Sequence, residues 1–223
     1  MQPYVIDHLD GLKFRVGTEE AREWYDPMKP YTELEYRWVF ENISLKKKNI
    51  LDCGAHHGHY SILFGKRGFV IAVEPYYHNV TMIEKNIVLN GLENKCDIHY
   101  GAVAKSAGMR PFVNASNGRL ADGAGTTVEC MTMRQIMPNA QIVKIDIEGG
   151  EFEILPEQID SLPECEVWII EIHPQFGDPE TIAAGFKDWE LLKVNREKMT
   201  VEPYQHDKWQ THATLIARKC HVV

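Results

Sequence analysis

The sequence predicts an α/β fold: a doubly wound, mostly parallel sheet with helices on both faces, preceded by a small N-terminal cap. Three observations predict it. From Asn49 onward, short apolar runs of strand character alternate with segments of helical spacing, and strands joined by helical crossovers run parallel. The first of these strands, in ILDCGAHHGHYS (Ile50 to Ser61), runs straight into a turn marked by two glycines. Acidic residues then recur at the ends of successive strands, where open sheets of this kind bind their ligands.

The elements follow in order. PYVIDHLDGLKFRV (3–16) reads as two short strands about an Asp-Gly turn. GTEEAREWYD is irregular chain or a short helix, and PYTELEYRWVFENI (30–43) has apolar and aromatic residues at helical spacing, with Pro30 near its start. These segments form a cap over residues 1–47, ahead of a ligand-binding domain over 48–223. NILDCGA is a buried strand, HYSILFGKRG a helix closed by Gly68, and FVIAVEP the second strand. YYHNVTMIEKNIVLNGL is an amphipathic helix with Val80, Ile83, Ile87 and Leu89 inward, ended by Asn90-Gly91. CDIHYGAVA is the third strand. Residues 105–127, rich in Gly, Asn and Ala, form a loop or loose hairpin long enough to suggest a function. TVECMTM is a further strand, RQIM a short helix, QIVKIDIEG the fourth strand, and GEFEILPEQI leads into a helix. CEVWIIEIHP is the fifth strand and PETIAAGFKDW a helix. WELLKVN and HATLIARK finish the sheet as an antiparallel pair at its edge.

Bulk properties narrow the function. The 223 residues suit one α/β domain with a substantial core, and 44% hydrophobic with 25% charged residues is ordinary for a globular protein. No apolar run approaches the ~20 residues that span a bilayer, and MQPYVIDHLDG lacks the basic and apolar regions of a secretory signal. A cytoplasmic protein without a membrane partner is the expectation. The five cysteines are scattered, odd in number and free of CxxC pairs, which fits a reducing compartment. The net charge of −8 repels a long phosphate backbone, so nucleic acid is not an expected partner. The only basic run, SLKKKN (44–49), reads as a solvated loop.

The glycine turn and the strand-end acids suggest a nucleoside. Gly54 permits a tight turn with close backbone approach, and Gly58 lets the following helix start near the ligand. Glu74 ends the second strand 22 positions after Asp52, where a carboxylate can accept both hydroxyls of a ribose, and Pro75 then breaks the strand. The glycine spacing is GxxxG rather than GxGxxG, and Asp52 would bring a negative charge toward a pyrophosphate. Both features disfavour NAD. S-adenosylmethionine, with no phosphate and with an amine and a sulfonium, suits an acidic turn.

Here the sequence resembles a known family. DCGAHHGHYS is similar to the first motif of class I S-adenosylmethionine-dependent methyltransferases, and in detail to the FkbM family's D-x-G-A-N-x-G-x-Y-S. VEP (73–75) matches that family's second motif, VKIDIEGGEFEIL (143–155) resembles its K-x-D-x-E-G-x-E signature, and IIEIHP (169–174) is similar to its fifth strand. The resemblance covers roughly residues 48–175 and implies a Rossmann-like, seven-stranded class I methyltransferase fold. It also implies roles. Asp52, Gly54, Ala55 and Gly58 would line the methionine part of the cofactor, with Tyr60 and Ser61 completing the motif. Glu74 would hold the ribose, flanked by Pro75 and Tyr76. Gly101, Ala102 and Val103 would lie near the adenine, and Asp146 would face the methyl group and the amine. The chain departs from the family at His56, which stands where the motif has Asn; an imidazole offers one donor and one acceptor but reaches differently.

Methyl transfer from a sulfonium is an in-line displacement, and a hydroxyl acceptor must shed a proton to a nearby base. The catalytic candidates are Asp146, Glu148 and His173, among Lys144, Glu151 and Glu171 at the ends of strands four and five, with Asp146 or His173 expected as the base. Residues 144, 146 and 148 share one face while the strand lasts, so Asp146 and Glu148 both face the pocket. Lys144 reads as a partner for a neighbouring acid, and Glu151 as a favourable charge in the first turn of a helix. Two carboxylates and a histidine could also take a divalent metal, but no metal is assigned. His56, His57 and His59 lack convergent spacing for zinc; one is expected to contact the cofactor and the others to lie at the pocket rim. The expected reaction is O-methylation of a small molecule or glycan sugar. An RNA or protein methyltransferase is the alternative, and an NAD-dependent oxidoreductase a weaker one. Acceptor choice is expected to lie in the cap, through Trp24, Tyr25, Tyr31, Tyr36 and Trp38, and in the 105–127 loop.

Overall fold

A computed structural model of the chain describes residues 4–26, 34–205 and 213–220. Its elements are β1 (Tyr4–Asp7), β2 (Lys13–Val16), α1 (Glu19–Trp24), α2 (Leu34–Asn42), β3 (Asn49–Cys53), α3 (His59–Gly65), β4 (Phe69–Glu74), α4 (Tyr77–Leu89), β5 (Cys96–Tyr100), β6 (Ala102–Val103) and β7 (Gly108–Phe112). They continue with β8 (Thr126–Met131), α5 (Met133–Ile136), β9 (Ile142–Ile145), α6 (Glu151–Gln158), β10 (Val167–Ile172), α7 (Pro179–Ala183), β11 (Trp189–Asn195), β12 (Thr200–Pro203) and β13 (Ala213–Lys219).

The central sheet has the order β12-β11-β13-β10-β9-β3-β4-β5. Pairs among β10, β9, β3, β4 and β5 are parallel, while β13 runs antiparallel between β10 and β11. Seven of these strands are the expected ones. The eighth, β12, is a short return strand that pairs antiparallel with β11 and takes the sheet's edge. The strand order reverses between β3 and β9: β4 and β5 are added on one side of β3, β9 and β10 on the other. That switch leaves a crevice above the C-terminal ends of β3 and β9, the usual ligand position of such sheets.

Burial explains the strand sequences. Ile50, Leu51, Ile142, Val143, Ile145, Val167, Trp168 and Ile170 are buried because helices cover both faces, so these strands read as continuous apolar runs. The cap is built on the same core. Phe14, Val16, Tyr36 and Val39 pack in one cluster with Ile50, Ile62 and Phe64. The β1–β2 hairpin is fastened to α4 by two asparagines that imitate a strand partner. Asn86 bonds the main-chain N and O of Arg15 at 2.6 and 2.9 Å, and Asn90 those of Lys13 at 2.8 and 2.7 Å.

Several expectations change in detail. The helix after the glycine turn ends at Gly65, and Gly68 instead gives room to Lys48, whose carbonyl oxygen would stand 2.7 Å from an added Cβ. Leu89 is half-buried, and Asn79, Met82 and Asn86 join the inward face of α4. Residues 108–131 form a true hairpin, β7 with β8, which β6 joins in a separate three-stranded sheet. The fourth strand stops at Ile145, so Asp146 and Glu148 lie in the following turn, with Glu148 at φ 53°. All five cysteines are free thiols. No helix among the described residues is long and apolar enough to cross a membrane.

Candidate active site

A cavity of about 810 Å³ opens above the C-terminal strand ends. Its volume lies toward the upper end of the ~300–1,000 Å³ typical of small-molecule sites, so it has room for two reactants. Gly54, Ala55, His56, Tyr60, Glu74, Pro75, Ala102, Val103, Asp146, Glu148 and His173 all line it, as the sequence suggests. Asp52, Gly58, Ser61, Tyr76 and Gly101 are not on its wall.

Those five support the wall from behind. Asp52 is fully buried; its Oδ2 accepts a 2.6 Å bond from the Ser61 hydroxyl and its Oδ1 lies 3.8 Å from Lys144 Nζ. Burial pushes its carboxyl above the ordinary range, and Lys144 and Ser61 oppose that push. Gly58, at φ 80°, is the N-cap of α3. Tyr76 packs beside Ala102 and Phe112, and Gly101 N–H donates to the Glu74 main-chain oxygen at 3.2 Å. Gly54 is sterically obligatory: it has φ 76°, and an added Cβ would stand 1.7 Å from the Asp146 carbonyl oxygen. The turn after β3 and the end of β9 therefore touch backbone to backbone.

Glu74 marks one end of the cavity. Its Oε2 accepts from His56 N–H and its Oε1 from Tyr76 N–H, both at 2.8 Å. Burial raises its pKa to about 8 in spite of these bonds, and further hydrogen-bond donors from a ligand would favour the ionised form.

The other end carries charge. Lys144 is 6% exposed and lies 3.4 Å from both Asp146 Oδ2 and the Gly54 oxygen. Burial works against its charge, but Asp146, Asp52 and Glu171 outweigh it and hold the ammonium firmly protonated. It is a buried counter-ion, as its position among acids suggests. Burial and the nearby Asp146 carboxylate lift Glu171 to about 7. His173 Nε2 stands 3.6 Å from Glu148 and 3.8 Å from Asp146, while its Nδ1 lies 3.0 Å from Glu151 Oε1. Burial disfavours the imidazolium, yet the bond to Glu151 and the three carboxylates raise its pKa to about 9. Burial and Asp146 raise Glu148 above its ordinary value.

Glu151 departs from the sequence expectation. It is fully buried rather than a solvated helix-end charge, because it accepts from the His173 main chain at 2.9 Å and from Gly149 N–H at 2.8 Å. It orients His173. Asp146, Glu148 and His173 present ligand atoms within 4.8 Å of one another, a donor set that could hold a divalent cation.

The histidines of the glycine turn also differ from expectation. His57 is a core residue, 3% exposed and off the cavity wall, while His59, though only 2% exposed, is part of the cavity lining. Burial keeps both uncharged, at about 4 and about 3. His59 stacks on Tyr25 at 4.5 Å, joining turn to cap. His56, at φ 50°, lines the cavity and bridges two segments: its Nδ1 is 2.9 Å from the Tyr25 hydroxyl and its Nε2 is 2.8 Å from Ser116 Oγ. Ser116 in turn bonds Asn79, which donates to the Ser116 oxygen at 2.9 Å.

Of the aromatic cap residues, Trp24 and Tyr25 line the cavity. Tyr36 is buried against Phe64, and Trp38 is half-buried beneath Arg218; Tyr31 lies outside the described residues. Glu35, Ser116 and Arg119 on the wall belong to the cap and the 105–127 loop that the sequence marks for acceptor choice without singling them out, and sequence reasoning missed Phe176 and Arg196. None sits in a recognisable motif, and only the folded chain brings them together.

A switch-point crevice, a glycine turn touching the fourth strand, and a buried carboxylate after the second define a class I methyltransferase architecture. Solved structures agree. A SAM-dependent methyltransferase from Agrobacterium tumefaciens superposes with a TM-score of 0.59 at 11% identity, covering 98% of this chain and 70% of its own. An rRNA methylase from Streptococcus thermophilus gives 0.54 at 8%, over 86% of this chain and 97% of its own. TYW2 from P. horikoshii, in complex with MeSAdo, gives 0.51 at 16%, over 98% and 72%. At these identities the likeness establishes the fold. Among curated proteins, none matches the sequence. The methyltransferase FkbM domain matches residues 52–207, and the chain belongs to that family. It is an S-adenosylmethionine-dependent methyltransferase.

Proposed function

We propose that this enzyme methylates a hydroxyl of a small molecule or a glycan sugar, with the cofactor's ribose on Glu74 and its methyl group directed toward Asp146, Glu148 and His173. The observation that carries this reading is the trio beside the Gly54 turn: two carboxylates and an imidazole on the cavity wall, one and two strands away from the cofactor motif. Pro75, Ala102 and Val103 give a mostly apolar bed for the nucleoside, Gly54 and Ala55 lie beside the methionine part, and His56 N–H helps fix the Glu74 carboxylate.

The chemistry is divided among these groups. The cofactor supplies an activated methyl and a neutral thioether leaving group. The protein aligns the acceptor oxygen with the methyl carbon and takes its proton. His173, with its pKa raised to about 9, already holds that proton at neutral pH. It is therefore assigned to balancing and orienting the carboxylates. The base is Glu148, whose raised pKa makes it a better proton acceptor than an ordinary carboxylate, with Asp146 aligning the sulfonium side.

The test is transfer of labelled methyl from S-adenosylmethionine to a panel of sugars, glycans, hydroxylated small molecules, RNA and protein. Label in an alkali-stable ether supports the reading. Label confined to RNA or protein overturns it. Turnover unchanged by EDTA is expected; a loss restored by Mg²⁺ would make the trio metal ligands instead of proton acceptors.

A further inference from the structure

We infer that the cavity's mixed-charge end, formed by Glu35, Tyr60, Glu171 and Arg196, recognises an ammonium–carboxylate pair: the α-amino-acid end of the cofactor. The inference rests on the placement of the ribose at Glu74. From β4 across β3 and β9 to β10 is three strand spacings, about 14 Å. A nucleoside seated at Glu74 with an extended tail therefore reaches the wall beyond Lys144, where Glu171 of β10, Glu35 of α2 and Arg196 of the β11–β12 turn meet.

The chemistry at that end is specific. Arg196 Nη2 is 3.6 Å from Glu35 Oε1, and the Tyr60 hydroxyl donates to the same oxygen. The other halves of the pair are unmet. Glu35 Oε2 and Arg196 Nε have no hydrogen-bond partner among the described residues, and solvent reaches neither. Glu35 as a whole is 5% exposed. Leaving a carboxylate oxygen and a guanidinium N–H buried and unpaired is costly. A lone cation would answer Glu35 but face Arg196, and a lone anion would face Glu35 and Glu171. A group carrying both charges on neighbouring atoms answers both and leaves the net charge unchanged. Glu35 precedes the matched domain at 52–207, so the cap itself takes part in holding the cofactor.

Titration calorimetry with two probes tests this. S-adenosylhomocysteine carries the amino-acid end; 5′-methylthioadenosine has the same nucleoside and thioether without it. Arg196→Met and Glu35→Gln are expected to weaken S-adenosylhomocysteine tenfold or more and to leave methylthioadenosine within twofold. Arg196→Lys, which keeps the charge and the fold, should recover part of the loss. If neither variant changes the ratio of the two affinities, the inference is wrong. If the ratio holds while acceptor KM rises, the end belongs to the acceptor, which also overturns it. Glu74→Gln separates this from the ribose assignment: methylthioadenosine binding that ignores Glu74 would sink that assignment, while the ratio still reports on Arg196.

Discussion

The two ends of the cavity are made in different ways. The Glu74 end comes from short contiguous stretches, the turn 52–58 and the dipeptide Glu74-Pro75, held by backbone contacts that a sequence motif can encode. The rest of the wall is assembled from α1, α2, the 113–125 loop, the turns after β9 and β10 and the β11–β12 turn, segments far apart in the chain. The first end carries the motifs that resemble the family's; on the proposed reading, the second meets the methyl acceptor. The comparison teaches that motif length limits what a sequence discloses about a site.

Substitutions can break the comparison, and the first-named should do most. Gly54→Ala removes the contact that joins the two ends. A Cβ 1.7 Å from the Asp146 oxygen, at φ 76°, forces the turn and β9 apart, at a cost of roughly 3–5 kcal/mol, and abolishes cofactor binding. Thermal denaturation and calorimetry read both effects. Lys144→Met strands Asp52 and Asp146 without their buried counter-ion and should destabilise by about 3 kcal/mol, seen as a lower denaturation midpoint.

Glu148→Gln acts on the acceptor end alone. It should cut kcat by roughly a hundredfold, the lower range for loss of a general base. It should also remove the acidic limb of the pH–rate profile, which in the wild type lies above the ordinary glutamate range.

Glu74 gives a pH signature at the other end. Its pKa near 8 means that binding a ribose to the ionised carboxylate releases a proton below that pH. S-adenosylhomocysteine affinity should therefore rise with pH toward roughly tenfold per unit between about pH 6 and 8, then level off; Glu74→Gln should flatten the slope. The stability of the free protein runs the opposite way. A carboxyl whose folded value exceeds its unfolded 4.5 stabilises below that pH and loses its contribution as pH rises through about 8.

The smallest effect is expected at His56→Asn. It gives up the bonds to Tyr25 and Ser116, about 1 kcal/mol of local fastening, and should raise hydrogen exchange at residues 18–26 and 113–121 without changing the fold. Unchanged exchange there would mean that His56 does not tie the cap and loop to the turn.

Legibility follows the same division. The parallel sheet was readable because β3, β4, β9 and β10 are apolar along their length, and its carboxylates because they fall at strand ends. The insertion of β13 between β10 and β11 was not, since nothing local in HATLIARK says which neighbour it takes. Glu151 looked like a helix-end charge because its partner, His173, lies 22 residues away. The deep burial of His59 was not legible because the cap residues that cover it, Phe14 and Tyr25, belong to a separate stretch of chain.

The account's central claim is that Glu74 serves the cofactor and Glu148 serves the transfer. Calorimetry with S-adenosylhomocysteine on wild type, Glu74→Gln and Glu148→Gln tests it most directly. The prediction is a loss of tenfold or more for Glu74→Gln and less than twofold for Glu148→Gln. Equal losses, or the larger loss at Glu148, would contradict it.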